Sequence, residues 1–593
     1  MSEIPDPRHI SNGREIPGEA YADQPYIVQT DDGAWLCVMT TGAGREGEPG
    51  QHVISMRSND RGRSWSEPVD VEPADGPEAS YAVLLKVPSG RVYCFYNHNT
   101  DRVEQVHGEE GQVYSRVDSL GHYVFKYSDD HGRTWSDERY DVPVREFECD
   151  RENVYGGELR FFWNVGRPLI VEDAAYLIMH KVGAMGEGFF AQSEGAILRS
   201  ANILTESDPE HIRFETLPDG EIGLRAPEGG GRVAEEQSLT VLSDCSLFCV
   251  YRTVDGWPAC AYSRDAGHTW TNPQYLTYEP GGRRVKHPRA ANFIWRLSGG
   301  EFLYWFHNHG GSPAREREDW NPYDDRNPVW LMVARETPGP DGPVLEFTQP
   351  EILLYEDDPR VRMSYPDLIE EDGRLFVTET QKSMGRVHEV PPHIVEALLG
   401  QWDRAEVASE GLLLDLQAPM PDEVAMPKLP DFAKRADHGT KSLRAGFTVE
   451  LRLRLDDLRP GQVLLDSRDT TGRGIALVTS ERETLELVMR DRWSECRWDT
   501  DPSAVKPEID AHVVAIVDGG PSIISFVVDG VLCDGGDHRQ FGWGRFTPHL
   551  YNVTGEPELR IASNMRGEMI ALRIYDRALR VSEAVANTRA GEG

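Results

Sequence analysis

The chain has 593 residues, with 62 Lys+Arg against 99 Asp+Glu and a formal net charge of −37. Hydrophobic residues make up 39% and charged residues 27%, a globular composition that excludes wholesale disorder and supplies more than one core. So acidic a chain is a poor partner for nucleic acid or an anionic membrane, both polyanions, and an acidic ligand requires a local basic pocket.

The start, Met1-Ser-Glu-Ile-Pro-Asp-Pro-Arg-His9, has neither the basic nor the apolar region of a secretion signal. No window approaches the roughly 18 apolar residues of a membrane span. The eight cysteines are scattered, mostly in apolar runs, and form no CxxC pair. That pattern predicts buried free thiols in a cytoplasmic protein, without a disulfide framework or a zinc site.

Over the first 400 residues short strands alternate with polar-Gly turns, as in Tyr26–Met39, Ala82–Tyr96, Leu239–Tyr251, Asn292–Phe306 and Leu368–Thr378. One motif recurs: Ser58-Asn-Asp60-Arg-Gly62-Arg-Ser64-Trp65, Ser128-Asp-Asp130-His-Gly132-Arg-Thr134-Trp135 and Ser263-Arg-Asp265-Ala-Gly267-His-Thr269-Trp270. The spacing is about one and then two periods of ~67 residues, which places degenerate copies near residues 200 and 333. A fixed period in strand-rich sequence means radial repetition of one unit, and the count predicts six blades. The sixth closes between 365–400 and the N-terminal strand. In the motif the aspartate accepts bonds from turn amides, the glycine supplies a left-handed position and the tryptophan staples the turn. These residues hold hairpins and carry no chemistry.

These S-x-D-x-G-x-[ST]-W repeats resemble the Asp boxes of the sialidase superfamily. The resemblance spans about residues 15–400 and includes Glu236 through Arg252, then Arg326-Asn-Pro-Val-Trp-Leu, then Ser364-Tyr365-Pro-Asp-Leu368. It implies Tyr365 as nucleophile, Glu236 as its base, and Arg252 and Arg326 as ligands of a substrate carboxylate. The residue types suit those roles. A phenol of pKa ~10 needs an adjacent base, and guanidinium forks bind carboxylates. The chain departs from the family pattern in two places. Asp23, in Ala22-Asp-Gln-Pro25, stands where the family has its first arginine. The loop from Thr41 to His52 holds no matching acid/base aspartate and offers Glu46, Glu48 or His52, of which Glu48 is the assigned candidate.

Further candidates come from the ends of strands. His98 and Asp101, in Tyr96-Asn-His-Asn-Thr-Asp101-Arg, enter a loop of the kind that carries propeller active sites. Trp163 and Arg167, in Phe161-Phe-Trp-Asn-Val-Gly-Arg167, offer a platform and a polar contact for a sugar ring. Lys286 and Arg289 precede an inner strand and face the pocket. His307 and His309 form an H-x-H pair without a visible third metal ligand. No metal and no cofactor is expected.

After residue 402 the period stops. Residues 403–445 read as a linker with the first strand of a second domain, and 446–593 as alternating strands such as Phe447–Leu455, His512–Asp518 and Ile523–Asp529. Period-2 strands with one apolar face predict two stacked antiparallel sheets. Their order, and the Arg573-Ile-Tyr-Asp-Arg-Ala-Leu579 ending, resemble the concanavalin A-like (laminin G-like) jelly roll. The expected architecture is all-β, a six-bladed propeller over 1–402 followed by a β-sandwich. Three functions fit: a sialidase-type exo-glycoside hydrolase acting on a terminal sugar (sialic acid-like, uronic or neutral), a polysaccharide lyase using Tyr365 with His98 on a uronic acid, and a non-catalytic sugar-binding protein. In each the partner is a glycan.

Overall fold

A computed structural model describes residues 6–186, 189–311, 326–429, 446–547, 550 and 553–591. Six antiparallel sheets follow one another along the first 400 residues. The first blade runs Tyr21–Gln29, Trp35–Gly42, His52–Ser58, Val69–Glu72, and the second Ala79–Lys86, Val92–His98, His122–Ser128, Tyr140–Asp141. In the third, Phe161–Trp163 and Leu169–Val171 both pair with the long strand Ala174–Gly186. Glu235–Val241 opens the fourth blade and Phe293–Arg296 the fifth. The sixth holds Leu368–Glu371, Arg374–Thr380 and Gly385–Glu389, and Arg14–Ile16 completes it, with Arg14 opposite Val387. The ring is thereby closed by the chain's own beginning, as expected.

The repeated motif works as a turn clamp. Ser58, Ser128 and Ser263 each accept the amide of the motif glycine at 2.8 Å. Asp60, Asp130 and Asp265 each accept both the amide and the hydroxyl of the Ser or Thr four residues on. The glycines lie at φ 75°, 81° and 94°, where a side chain is strained. Near residue 200 the degenerate copy survives as Ser200, which accepts the Ile203 amide at 3.2 Å. Near 333 the turn is replaced by the long hairpin Val329–Gly339 with Gly342–Phe347.

The strands from Leu412 onward form a seven-stranded and a six-stranded sheet, whose inward faces share one apolar core around Leu451, Leu477, Leu487, Val513 and Phe526. Two of these strands, Leu412–Gln417 and Glu423–Ala425, lie within the segment expected as linker and pair with Gly567–Tyr575 and Glu558–Ile561. The rest of that segment, 430–445, lies outside the described residues. The outer face of the larger sheet packs on the fifth blade, where Val514, Ile516, Ile523 and Trp543 join Tyr304, Trp330 and Ile352. Polar contacts fix the junction: Trp543 Nε1 donates to the Asn308 carbonyl at 3.0 Å and Arg545 Nη2 to the Asn327 carbonyl at 2.7 Å. All eight cysteines are free, and six are buried. Among the described residues, no helix is long and apolar enough to cross a membrane.

Candidate active site

The inner strands of three blades break register at the same point: between Asp23 and Tyr26, between Ser80 and Val83, and between Glu235 and Ser238. At each break a non-glycine residue takes a positive φ: Gln24 at 53°, Tyr81 at 59° and Glu236 at 56°. In the sixth blade Tyr365, just before the inner strand, has φ 47°. A bulge re-aims a side chain, and such a conformation costs about 1–3 kcal/mol where a bulky residue adopts it. These four positions lie at one end of the ring.

Tyr365 Oη donates to Glu236 Oε1 at 2.6 Å. Arg252 Nη1 lies 2.7 Å from the other oxygen, Glu236 Oε2. The three side chains are 5%, 0% and 2% exposed for Tyr365, Glu236 and Arg252. Burial raises the Glu236 pKa, opposed by Arg252 and Arg326. Burial and the neighbouring Glu236 push the Tyr365 phenol well above its ordinary value. Tyr365 therefore rests as a neutral phenol hydrogen-bonded to Glu236.

Glu235 anchors the cationic side. It accepts from Arg252 Nε and Nη2 at 2.9 and 2.7 Å, and from Arg289 Nη2 at 2.9 Å. Although burial opposes ionisation, Arg289 and Arg252 hold its carboxyl at about 2. Arg326 Nη1 donates to Ser364 Oγ at 2.7 Å and Nη2 to the Arg289 carbonyl at 3.4 Å. Three guanidiniums thus converge from the fourth and fifth blades.

The opposite side is built of carboxylates with their own cations. Asp23 accepts from Tyr21 Oη and Lys382 Nζ, each at 2.7 Å. Glu46 accepts from Lys382 Nζ at 3.2 Å and Arg116 Nη2 at 2.7 Å. Against its burial, Lys382 and Arg116 hold the Glu46 carboxyl far below the usual range. Arg116 also binds Asp118, at 3.0 Å, and Tyr81 Oη, at 3.1 Å. A closed circuit of contacts surrounds the channel mouth. Tyr365 touches Glu236, whose amide donates to His180 Nδ1 at 3.2 Å. His180 packs edge-on to Trp163 at 4.1 Å, and Trp163 stacks on Tyr81 at 5.3 Å. Tyr81 leads through Arg116 and Glu46 to Lys382, which lies 4.3 Å over the Tyr365 ring.

Seven of the predicted residues meet here: Tyr365, Glu236, Arg252, Arg326, Asp23, Arg289 and Trp163. Four do not. Glu48 is exposed and turns back to accept its own loop's Arg45 amide at 2.8 Å, leaving Glu46 to enter the cluster. His98 faces the outer part of its blade, 2.8 Å from Thr100 Oγ1 and 4.0 Å from Glu72, where burial and Arg139 take its pKa down to about 4. Asp101 pairs at the surface with His122 at 3.2 Å. Arg167 lines the other mouth of the channel, with Gln29, Lys86, Arg296 and Glu370. Lys286 also leaves the pocket, donating to the Gly536 and Arg539 carbonyls of the sandwich. His309 stacks on Phe541 at 4.4 Å, and His307 on His287 at 5.8 Å.

Beside Asp118 lies Glu78, whose Oε1 is 2.8 Å from the Gln51 amide in the orientation that lets it donate. Burial and Asp118 push Glu78 up to about 9. A carboxyl raised in the folded state stabilises fully below its unfolded pKa of ~4.3, and loses that contribution as pH rises toward the folded value. Glu78→Gln abolishes the titration. Its unfolding free energy relative to wild type is expected to rise between pH 5 and pH 8 by on the order of 4 kcal/mol, at 1.36 kcal/mol per unit. Urea denaturation at the two pH values reads this directly, and a pH-independent difference contradicts it.

No protein-family model matches the chain, and no curated protein does. Among solved structures, the chain is similar to a *Dyadobacter fermentans* protein of unknown function at 13% identity and TM-score 0.44, covering 64% of this chain and 97% of that one. It is similar to *Trypanosoma rangeli* sialidase at 13% identity and TM-score 0.42, covering 100% and 97%. It is also similar to the *Ruminococcus gnavus* intramolecular trans-sialidase, bound to oseltamivir carboxylate, at 14% identity and TM-score 0.43, covering 66% and 98%.

Proposed function

We propose that this chain is an exo-glycoside hydrolase that releases a terminal sugar from a glycan through a covalent intermediate on Tyr365. The observation that carries this reading is the buried Tyr365–Glu236 pair at 2.6 Å, with Arg252 on the second carboxylate oxygen. A phenol is a weak nucleophile until a base takes its proton as the new bond forms. Glu236 is placed to do so, and its burial makes it a better proton acceptor than a solvated glutamate. The Tyr365 oxygen attacks the anomeric carbon as the glycosidic bond breaks, and Glu236 holds the phenol's proton. The leaving oxygen keeps the bond's electron pair and takes up a proton. Water then cleaves the glycosyl-tyrosine bond, its hydroxide joining the sugar and its other proton replacing the one the leaving group took. Glu236 returns the phenol's proton to Tyr365.

Arg116, Arg252, Arg289, Arg326 and Lys382 face Asp23, Glu46, Asp118, Glu235 and Glu236, five cations against five carboxylates. The balance is uneven in space. An acidic group on the sugar is directed to the Arg252, Arg289 and Arg326 side, where bidentate geometry is available. The side of Asp23 and Glu46 suits hydroxyl donors. Among the described residues His98 contacts Thr100 and Glu72 and none of this cluster, which favours the hydrolase over the lyase that pairs it with Tyr365.

The test is a panel of aryl glycosides and glycuronans given to wild type, Tyr365→Phe and His98→Ala. Release of the aryl group, lost in Tyr365→Phe and kept in His98→Ala, supports the hydrolase. Unsaturated-uronate absorbance that disappears in His98→Ala overturns it in favour of the lyase. Glycan binding without turnover overturns it in favour of a sugar-binding protein.

A further inference from the structure

We infer that Tyr81 is the proton donor to the leaving group, with Asp118 and Arg116 as its partners. This rests on the hydrolase reading above and supplies the acid that the sequence does not identify. Tyr81 sits at the same strained bulge in the second blade that Glu236 occupies in the fourth, at φ 59° and 56°. On the circuit of contacts around the channel mouth it lies opposite Tyr365. Its hydroxyl donates to Asp118 Oδ2 at 2.6 Å and receives Arg116 Nη2 at 3.1 Å. Arg116 Nε in turn holds Asp118 Oδ1 at 3.0 Å. The site therefore contains two tyrosine–carboxylate–arginine groups: Tyr365–Glu236–Arg252 and Tyr81–Asp118–Arg116.

Of the carboxylates on this side, burial raises Asp23 and Glu78, while Lys382 and Arg116 hold Glu46 far below the usual range. Glu46 is tied to Lys382 and Arg116, and Asp118 to Arg116. The Tyr21–Asp23 pair also carries a phenol, but its cation Lys382 binds Asp23 and stands 6.0 Å from the Tyr21 ring centroid. Tyr81 alone among these groups combines a proton to give with a guanidinium on the oxygen that gives it. Burial and Asp118 raise the Tyr81 phenol well above its ordinary value, and Arg116 opposes them by stabilising the phenolate left behind.

The steps balance. As Tyr365 bonds to the anomeric carbon, the glycosidic C–O bond breaks and its electron pair stays on the leaving oxygen, which takes the Tyr81 proton. The Tyr81 phenolate rests against Arg116. In the second half a water attacks the glycosyl-tyrosine bond, gives one proton to Tyr81 and ends as the sugar's hydroxyl. Glu236 reprotonates Tyr365, and both tyrosines return to their starting state.

A general acid matters in proportion to how badly the leaving group needs a proton. The 2,4-dinitrophenyl and methyl glycosides of N-acetylneuraminic acid, glucuronic acid and galactose are compared in wild type, Tyr81→Phe, Asp118→Asn and Tyr365→Phe. With the sugar that wild type cleaves, Tyr81→Phe is expected to lose ~10²–10⁴-fold on the methyl glycoside and under about 10-fold on the dinitrophenyl glycoside. Asp118→Asn shifts the same ratio in the same direction and reads the proposal even where Tyr81→Phe fails to fold. Equal losses on both leaving groups in the folded variants overturn the proposal and leave the hydrolase standing. Full turnover in Tyr365→Phe, or none by wild type on any of the six glycosides, overturns both.

Discussion

Tyr365→Phe is expected to reduce glycoside turnover by about 10⁴-fold or more, the scale seen when a covalent nucleophile is removed. The substitution deletes one oxygen. The ring stays between Lys382, 4.3 Å from its centroid, and the buried wall of the site, so the fold and the sugar's binding contacts persist. Glu236 loses the hydroxyl that it accepts but keeps Arg252 on its other oxygen. Affinity for the product sugar, measured by isothermal titration, is expected to stay within about 10-fold of wild type, since only an interaction made in the transition state has been removed. A comparable fall in binding contradicts the assignment and makes Tyr365 a sugar contact.

Arg252→Ala carries the largest expected cost in stability. Arg252 is 2% exposed and lies between two carboxylates that are both 0% exposed. Its Nε and Nη2 satisfy Glu235, and Nη1 faces Glu236 at 2.7 Å. Removing one partner of a buried ion pair costs about 3–5 kcal/mol, because the stranded charge keeps its desolvation penalty. Arg289 still binds Glu235, so about 3 kcal/mol is expected at pH 7. Glu236 loses its nearest cation and keeps only the weaker influence of Arg326, so protonating it relieves part of the penalty. The deficit in urea-unfolding free energy is therefore expected to shrink as pH falls from 7 toward 5. A deficit under about 1 kcal/mol contradicts the role given to the buried arginine.

The fold was legible because its signals are local. A turn clamp needs the same serine, aspartate and glycine each time it is built, so three copies and their spacing disclose the blade. The seven residues that meet at the site lie next to such readable elements, at strand starts or in specific motifs. What escaped depends on contacts between distant segments. Lys382 sits in a hairpin turn of the sixth blade, with φ 72°, and reaches Asp23 and Glu46 from more than 300 positions away in sequence. One signal existed: only nine of the 62 basic residues are lysine, and this one follows an inner hairpin. Tyr81 is the third residue of Ala79–Lys86, just before the stretch read as Ala82–Tyr96, and its bulge appears only once the register against Val92–His98 is known. The same limit misplaced Glu48. Glu46 and Glu48 are equivalent as residue types, and only the loop's return through Arg45 decides which one faces the cluster. His98 was misplaced by alternation, since a strand end points either to the axis or to the blade interior, and this side chain takes the second course.

The chain's acidity also has a local counterpart. Among the described residues, Asp23, Glu46, Asp118, Glu235 and Glu236 each lie against an arginine or a lysine, within a chain of net charge −37. Under the proposed function, an acidic sugar would meet the face formed by Arg252, Arg289 and Arg326 despite the field of the surface.

The most direct measurement is the mass of the enzyme during turnover. A glycosyl fluoride bearing a second fluorine beside the anomeric carbon slows both steps by destabilising the oxocarbenium-like transition state, and its good leaving group lets the intermediate accumulate. After an acid quench and proteolysis, the sugar's mass is expected on the peptide that contains Tyr365, and to be absent when Tyr365→Phe is treated in the same way. An adduct on any other residue, or turnover with inversion at the anomeric carbon, contradicts nucleophilic attack by Tyr365.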